Sequence, residues 1–302
     1  MVNIFNKWLS HPLYFRYGFF ILLIGSVILN SFFLQNGSHF FILYIFSVLF
    51  LGIGFYNKST WFLIFFTIIV VSCRFFLIPD ATDNFLSFII YILNYLLITF
   101  ISVGLMKNVQ KVKEDNLELT KALANALDSR DTYTLHHSEN VARYAVEIAE
   151  KMKLSKDLCN IIHIGGLLHD IGKIGIPENI LTKPGKLTND EYELIKTHPK
   201  IGYDIIKHVE SFHNNGVLDI VLYHHERFDG KGYPTGLQGN QIPLVARIVA
   251  VADTFDAMTS KRVYREKELD IEYTLNEIRK NKSTQFDPEV VDVFLSLFDK
   301  DK

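Results

Sequence analysis

The stretch LLHDIGKIGIPENILTKPGKLT, Leu167–Thr188, decides the fold of this chain, because it closes an apolar run with the pair His169-Asp170 and follows it at once with glycine and lysine. Working outward, His137 lies upstream, and His198, the pair His224-His225 and Asp253 lie downstream. Together these make seven potential ligands, most of them on predicted helices. Neutral imidazoles, with a carboxylate able to bridge, are what a cluster of two hydrolytic metal ions requires. One such histidine alone would read as a polar core residue; their recurrence argues for a site.

The surrounding pattern is helical. Val141, Tyr144 or Ala145, and Ile148 share one face of a helix over 140–149. Further helices are predicted at Leu154–Leu168, Asp190–Val209 carrying His198, Asn215–Glu226 ending in His224-His225, and Val245–Thr259 carrying Asp253, with loops at Ile174–Leu187 and Phe228–Gln241. No alternating strand pattern of useful length interrupts them. The expected class is all-α, with a C-terminal bundle whose facing helices supply inward metal ligands.

The N-terminal part differs in kind. Residues 1–106 hold only Lys7, Arg16, Lys58 and Arg74 as basic residues and Asp80 and Asp83 as acidic ones, out of 31 and 33 in the chain. Four apolar stretches, at 17–34, 40–56, 61–78 and 85–106, approach the roughly 20 residues that cross a bilayer core. A four-helix transmembrane domain is therefore expected. The basic residues flank the first span, the second connection and the exit at Lys107, Lys111 and Lys113, so both termini of this multi-pass domain are expected in the cytoplasm. Arg74 is expected to snorkel to the outer headgroups. The outer loops are too short for an extracellular sensor domain, so a signal would be read within the bilayer or from a partner. Cys73 and Cys159 suggest neither a disulfide nor a metal motif and read as core residues. A net charge of −2 gives no basic field for a nucleic acid polymer.

Residues 107–129 read as a helical linker. Val109, Val112, Asn116, Leu119, Leu123 and Ala126 alternate spacings of three and four, which is a short coiled-coil seam with one polar position. A parallel homodimer through this linker is expected; the competing reading is one amphipathic helix packed on the C-terminal domain, 130–302.

At this point the motifs become dense enough to compare. LLHDIGKIGIPENILTKPGKLT, HHERFDGKGYP (His224–Pro234), IPLVARIVAVADTFDAMTS (Ile242–Ser260) and QFDP (Gln285–Pro288) together resemble the HD-GYP branch of the HD metal-dependent phosphohydrolases, from about Asp128 to Phe298. The resemblance implies a phosphodiesterase that opens cyclic di-GMP to pGpG and in some members on to GMP, two divalent metal ions, iron or manganese, and diguanylate cyclases as protein partners. It implies that His137, His169, Asp170 and Asp253 hold one metal, and that His198, His224 and His225 hold the second, with Asp170 bridging. His136 stands where the family has glycine and is assigned to the surface or to a supporting contact. Tyr133 stands where some members have a third-metal glutamate, so a two-metal site is expected. Ser283 stands where the family often has glycine.

The implied mechanism uses hydroxide generated between the two metals, attacking phosphorus in line with the 3′ oxygen. Lys173, three residues after Asp170, meets the developing phosphate charge, so Asp170 and Lys173 are the catalytic candidates. Arg262, Arg265 and Tyr233 join Lys173 as substrate contacts, the guanidinium being suited to phosphate. His163, His208 and His213 fit no ligand position. Two further readings remain: a phosphodiesterase for another cyclic dinucleotide such as 3′,3′-cyclic GMP-AMP, and a non-catalytic cyclic di-GMP receptor.

Overall fold

Pro12 occupies the first turn of helix α1 (Pro12–Ile28), where a missing N–H leaves no bond unmade. The first apolar helix therefore starts before the run at 17 that the sequence marks. The computed structural model describes residues 11–33, 40–78, 84–130, 136–213, 216–260 and 270–299, and the chain divides into two units, Met1–Asp115 and Asn116–Lys302. The fold is all-α: the described residues contain no strand beyond an isolated bridge between Lys282 and Phe286.

The first unit continues with α2 (Ile42–Gly54), α3 (Thr60–Leu77) and the N-terminal part of α4 (Phe85–Asp128). The helices over Pro12–Phe32, Thr60–Leu77 and Phe85–Asp128 are long and apolar enough to cross a membrane; α2, with 13 residues, is shorter than the span expected at 40–56. At 1.5 Å per residue it covers about 20 Å, against a hydrocarbon core of about 30 Å. Ser59 caps α3 by accepting the Phe62 N–H, and Asn84 accepts the Ser87 N–H at the start of α4. Inside the unit Tyr44, Val48, Leu51 and Val70 are fully buried, and Thr67 and Thr99 share a buried hydrogen bond of 3.1 Å between α3 and α4. Ile21, Trp61, Phe65, Phe76 and Leu93 point outward. Arg74 departs from expectation. It is buried, and its guanidinium stacks 3.6 Å from the ring centroid of Tyr91 on α4, so the cation is held by an aromatic face inside the unit.

No break separates the last apolar helix from the linker: α4 runs unbroken for 44 residues. Its C-terminal part follows the reading of an amphipathic helix packed on the C-terminal domain. Ala124, with Leu117 beside it, packs against Ala142 and Leu167 of the second unit, while Val112, Leu119 and Leu123 of the predicted seam are exposed.

The second unit comprises the end of α4, then α5 (His137–Lys151), α6 (Lys156–Leu168), a 3₁₀ turn (Ile171–Gly175), the single turn α7 (Glu178–Leu181), α8 (Asn189–Ile195), α9 (His198–Ile206), α10 (Val217–Tyr223), α11 (Leu244–Thr259), α12 (Ile271–Lys280) and α13 (Pro288–Leu295). Its core is built from Ile148, Ile162, Ile220, Ile248, Phe255 and Phe294, contributed by α5, α6, α10, α11 and α13. The helix expected over Asp190–Val209 is two helices. A capping box of Thr188 and Glu191 starts α8. Pro199 disfavours helical geometry before it and suits a first turn, so a new helix begins at His198.

Candidate metal centre

Most of the seven candidate ligands sit at helix ends rather than along facing helices. His137 opens α5, His169-Asp170 follows α6, His198 opens α9, and His224-His225 follows α10; only Asp253 lies within a helix, α11. The reason is local. The last carbonyls of a helix have no intrahelical donor, and they receive the imidazoles. His169 Nδ1 is 2.7 Å from Gly166 O, His198 Nδ1 is 2.8 Å from Ile195 O, and His224 Nδ1 is 3.0 Å from Val221 O. A carbonyl only accepts, so each Nδ1 carries the proton and each Nε2 lone pair faces inward. His137 is set by a carboxylate instead: its Nδ1 lies 2.7 Å from Asp256 Oδ2.

The result is two groups, Asp170 with His198, His224 and His225, and His137 with His169 and Asp253, with the potential ligand atoms of each group within 4.8 Å of one another. Asp170 belongs to both by geometry. Its Oδ1 is 3.1 Å from His198 Nε2 and its Oδ2 is 3.3 Å from His169 Nε2. Gly172 lets this corner close: a Cβ there would stand 1.9 Å from the carbonyl oxygen of His198.

These donors fit cations. His198 Nε2 and His224 Nε2 face each other at 3.3 Å, and two unprotonated lone pairs at that distance repel unless a positive charge lies between them. His169 Nε2 and Asp170 Oδ1 are buried without a hydrogen-bond partner among the described residues, a costly state that a metal ion relieves. Nitrogen and oxygen donors without thiolate are compatible with a range of divalent metal ions.

Electrostatics divide the site. Burial disfavours the His137 imidazolium, but Asp253 and Asp256 outweigh it and pull the group up to about 9. Burial and the neighbouring His198 push His225 down to about 3. Burial raises Asp170, but Lys173 and His169 prevail and hold its carboxyl well below the usual carboxylate range. Lys173 reaches Asp170 Oδ2 at 2.5 Å.

Tyr233 stacks on His225 with ring centroids 4.8 Å apart, and its N–H donates to His225 O at 3.2 Å. Burial raises its phenol, so it stays a hydrogen-bond donor. The tight return of this loop needs Gly232, whose Cβ would meet Arg227 N at 2.3 Å. Arg262, Arg265 and Tyr133 lie outside the described residues. His136 is exposed, and His163, His208 and His213 join neither group.

Sequence reasoning missed three supporting carboxylates. Asp256 lies three residues after Asp253 on α11, a spacing that marks a shared helical face. Glu226, directly after His225, is buried and accepts from Thr235 N and Oγ at 2.7 Å and from Gly236 N at 3.0 Å, which ties down the loop bearing Tyr233. Asp128 binds Ser138, next to His137; no local spacing announces that pairing.

Residues 121–290, more than half of the chain, match the family described as HD domain. The chain belongs to the HD-domain family. Relatives of this HD domain include a Xanthomonas campestris protein named cyclic di-GMP phosphodiesterase response regulator RpfG, 43% identical over 63% of this chain and 50% of its own length. A Thermotoga maritima protein named cyclic di-GMP phosphodiesterase is 43% identical over 60% of this chain and 49% of its own. A Vibrio cholerae protein named 3′3′-cGAMP-specific phosphodiesterase 2 is 36% identical over 67% and 38%. The HD-domain chain thus spans half or less of the length of these relatives.

Proposed function

We propose that this chain is a membrane-anchored, metal-dependent phosphodiesterase that hydrolyses cyclic di-GMP to pGpG or GMP. The observation that carries the reading is Asp170, whose two oxygens face two different histidine groups. His137, His169 and Asp253, with Asp170 beside them, would hold one ion and Asp170, His198, His224 and His225 the other; iron or manganese is what the family resemblance points to, and the donor set accepts either. Such ions supply Lewis acidity and a hydroxide nucleophile at neutral pH. The chain's own residues do the rest. The Lys173 ammonium, beside Asp170, opposes charge developing on the phosphate oxygens. Tyr233, protonated and braced on His225, donates to substrate. Arg262 and Arg265 are the further candidates for contact with substrate phosphate, by the resemblance and by guanidinium chemistry.

The names of the relatives support the substrate class, and they contain both cyclic di-GMP and 3′,3′-cyclic GMP-AMP enzymes. The cyclic GMP-AMP reading is therefore kept as the alternative. A non-catalytic receptor is disfavoured by the intact set of ligand side chains. Three long apolar helices support insertion in the bacterial plasma membrane, and the basic flanks favour a cytoplasmic side for both termini. The exposed Val112, Leu119 and Leu123 support a homodimer through α4; diguanylate cyclases are the proposed protein partners.

The deciding experiment gives the metal-loaded protein a panel of cyclic di-GMP, cyclic GMP-AMP and cyclic di-AMP and resolves the products. Fastest turnover of cyclic di-GMP, abolished in His169→Ala/Asp170→Ala, is the expected result. Preference for the mixed dinucleotide selects the alternative, and binding without turnover selects the receptor.

A further inference from the structure

We propose that the C-terminal end of α4 is a positioning element of the metal centre, in which Asp128 holds the turn that carries His137 and Arg130 holds the turn that carries Lys173. For the part played by Lys173 this rests on the phosphodiesterase reading; for His137 it rests on the ligand clusters alone.

Helix α5 begins at His137 without a side-chain cap of its own, because His136 at the N-cap lies in the left-handed region and offers no bond. The first N–H groups of a helix need acceptors. Asp128 supplies one from another helix: Oδ2 accepts the Ser138 N–H at 3.0 Å and Oδ1 accepts the Ser138 hydroxyl at 2.9 Å, both within the buried interior. A carboxylate at a helix N-terminus also opposes the positive end of the dipole. Since Ser138 follows His137 directly, these bonds set the turn from which His137 Nε2 reaches Asp253 Oδ1 at 3.2 Å.

Arg130 acts on the opposite wall. Its guanidinium donates to the carbonyl oxygens of Lys173, Ile174 and Ile176 at 3.3, 3.2 and 3.3 Å. These carbonyls belong to the 3₁₀ turn and its exit; the Lys173 carbonyl also accepts the Ile176 N–H at 3.0 Å, and Arg130 joins it to the two that follow. A planar fork of donors can serve several carbonyls at once, as an ammonium cannot in one fixed geometry. The same turn aims Lys173 at Asp170. Asp128, Arg130, His137, Asp170 and Lys173 line one small cleft. One helix end thus supports a ligand on one side and the phosphate-facing cation on the other, and rotation of that end displaces both.

The test uses the full-length protein in detergent micelles, with Mn²⁺ as the metal probe. After chelator stripping, Asp128→Asn and Ser138→Ala are expected to weaken one of two Mn²⁺ sites about ten- to a hundredfold in an electron paramagnetic resonance titration without substrate. Arg130→Met is expected to fill both sites normally, to speed amide exchange of residues 173–176, and to lower kcat about tenfold or more at little changed KM, with Arg130→Lys recovering part of it. Unchanged Mn²⁺ affinity in Ser138→Ala overturns the Asp128 arm even if Asp128→Asn fails to fold. Unchanged exchange at 173–176 in Arg130→Met overturns the other arm. If the wild type binds two Mn²⁺ but turns over no cyclic dinucleotide, the phosphodiesterase reading fails, while the titration and the exchange measurement still decide both arms.

Discussion

Asp256 Oδ2 lies 2.7 Å from His137 Nδ1, with both side chains buried, and the contact turns the opposite ring nitrogen toward Asp253. A carboxylate behind an imidazole fixes its tautomer and raises its basicity. Asp256→Ala is therefore expected to weaken metal binding at the His137 group about ten- to a hundredfold while the His198 group keeps its metal. Metal content after dialysis against a graded chelator checks this; equal retention at both sites contradicts it.

The two candidate ligand carboxylates, Asp170 and Asp253, should differ in what their loss removes. Asp170 faces both groups and Asp253 only one. Asp253→Ala is expected to retain about one metal per chain and Asp170→Ala close to none, both with activity lost, because a two-ion site needs both members. Elemental analysis of the purified variants distinguishes them; identical metal content would argue against a bridging Asp170.

The metal-stripped protein should be most stable near pH 6.5. His137 is raised to about 9 by Asp253 and Asp256 acting against burial, so its contribution is fully present below the unfolded value of 6.5 and is lost as pH rises through about 9. His225 is lowered to about 3 by burial and by His198, so its contribution is present above 6.5 and is lost as pH falls toward 3. Thermal melts of chelated protein across this range should show a maximum, and Asp256→Asn should flatten its alkaline side. A stability that rises steadily to pH 9 would sink the assignment.

His136 and Ser283 both hold left-handed backbone, with φ of 69° and 63°, and both stand where the related motif has glycine. A side chain in that region costs about 1–2 kcal/mol, partly offset by the entropy that glycine loses on folding, about 0.5–1 kcal/mol. His136→Gly and Ser283→Gly are each expected to stabilise the second unit by roughly 0.5–1 kcal/mol, read from denaturant midpoints. A loss of stability in both would show that their side chains contribute more than the strain they impose.

Leu119→Glu should weaken self-association without lowering turnover per chain. Leu119 is exposed on α4, on the face away from Ala124, which packs on Ala142 and Leu167. A buried charge in a short coiled-coil seam is strongly unfavourable. Sedimentation in micelles checks the association state; an unchanged dimer would assign that face to solvent.

The sequence by itself determined what depends on residue type and on spacing within one element. The apolar runs marked the long helices, the all-α class followed from the helical period, and the His-Asp motifs named all seven side chains that the fold draws into two groups. It missed the break before His198 and treated Arg74 as a snorkelling cation, while the helix it read as running on beyond 106 is continuous in α4. Only the tertiary structure decided which oxygen of Asp170 faces which histidines, that Asp256 orients His137, and that Asp128 and Arg130 brace the site from the end of another helix. Periodicity reports the face a residue occupies on its own helix. The pairing of Asp128 with Ser138, or of Arg130 with the carbonyls after Lys173, depends on where helices end against one another, and core packing sets that.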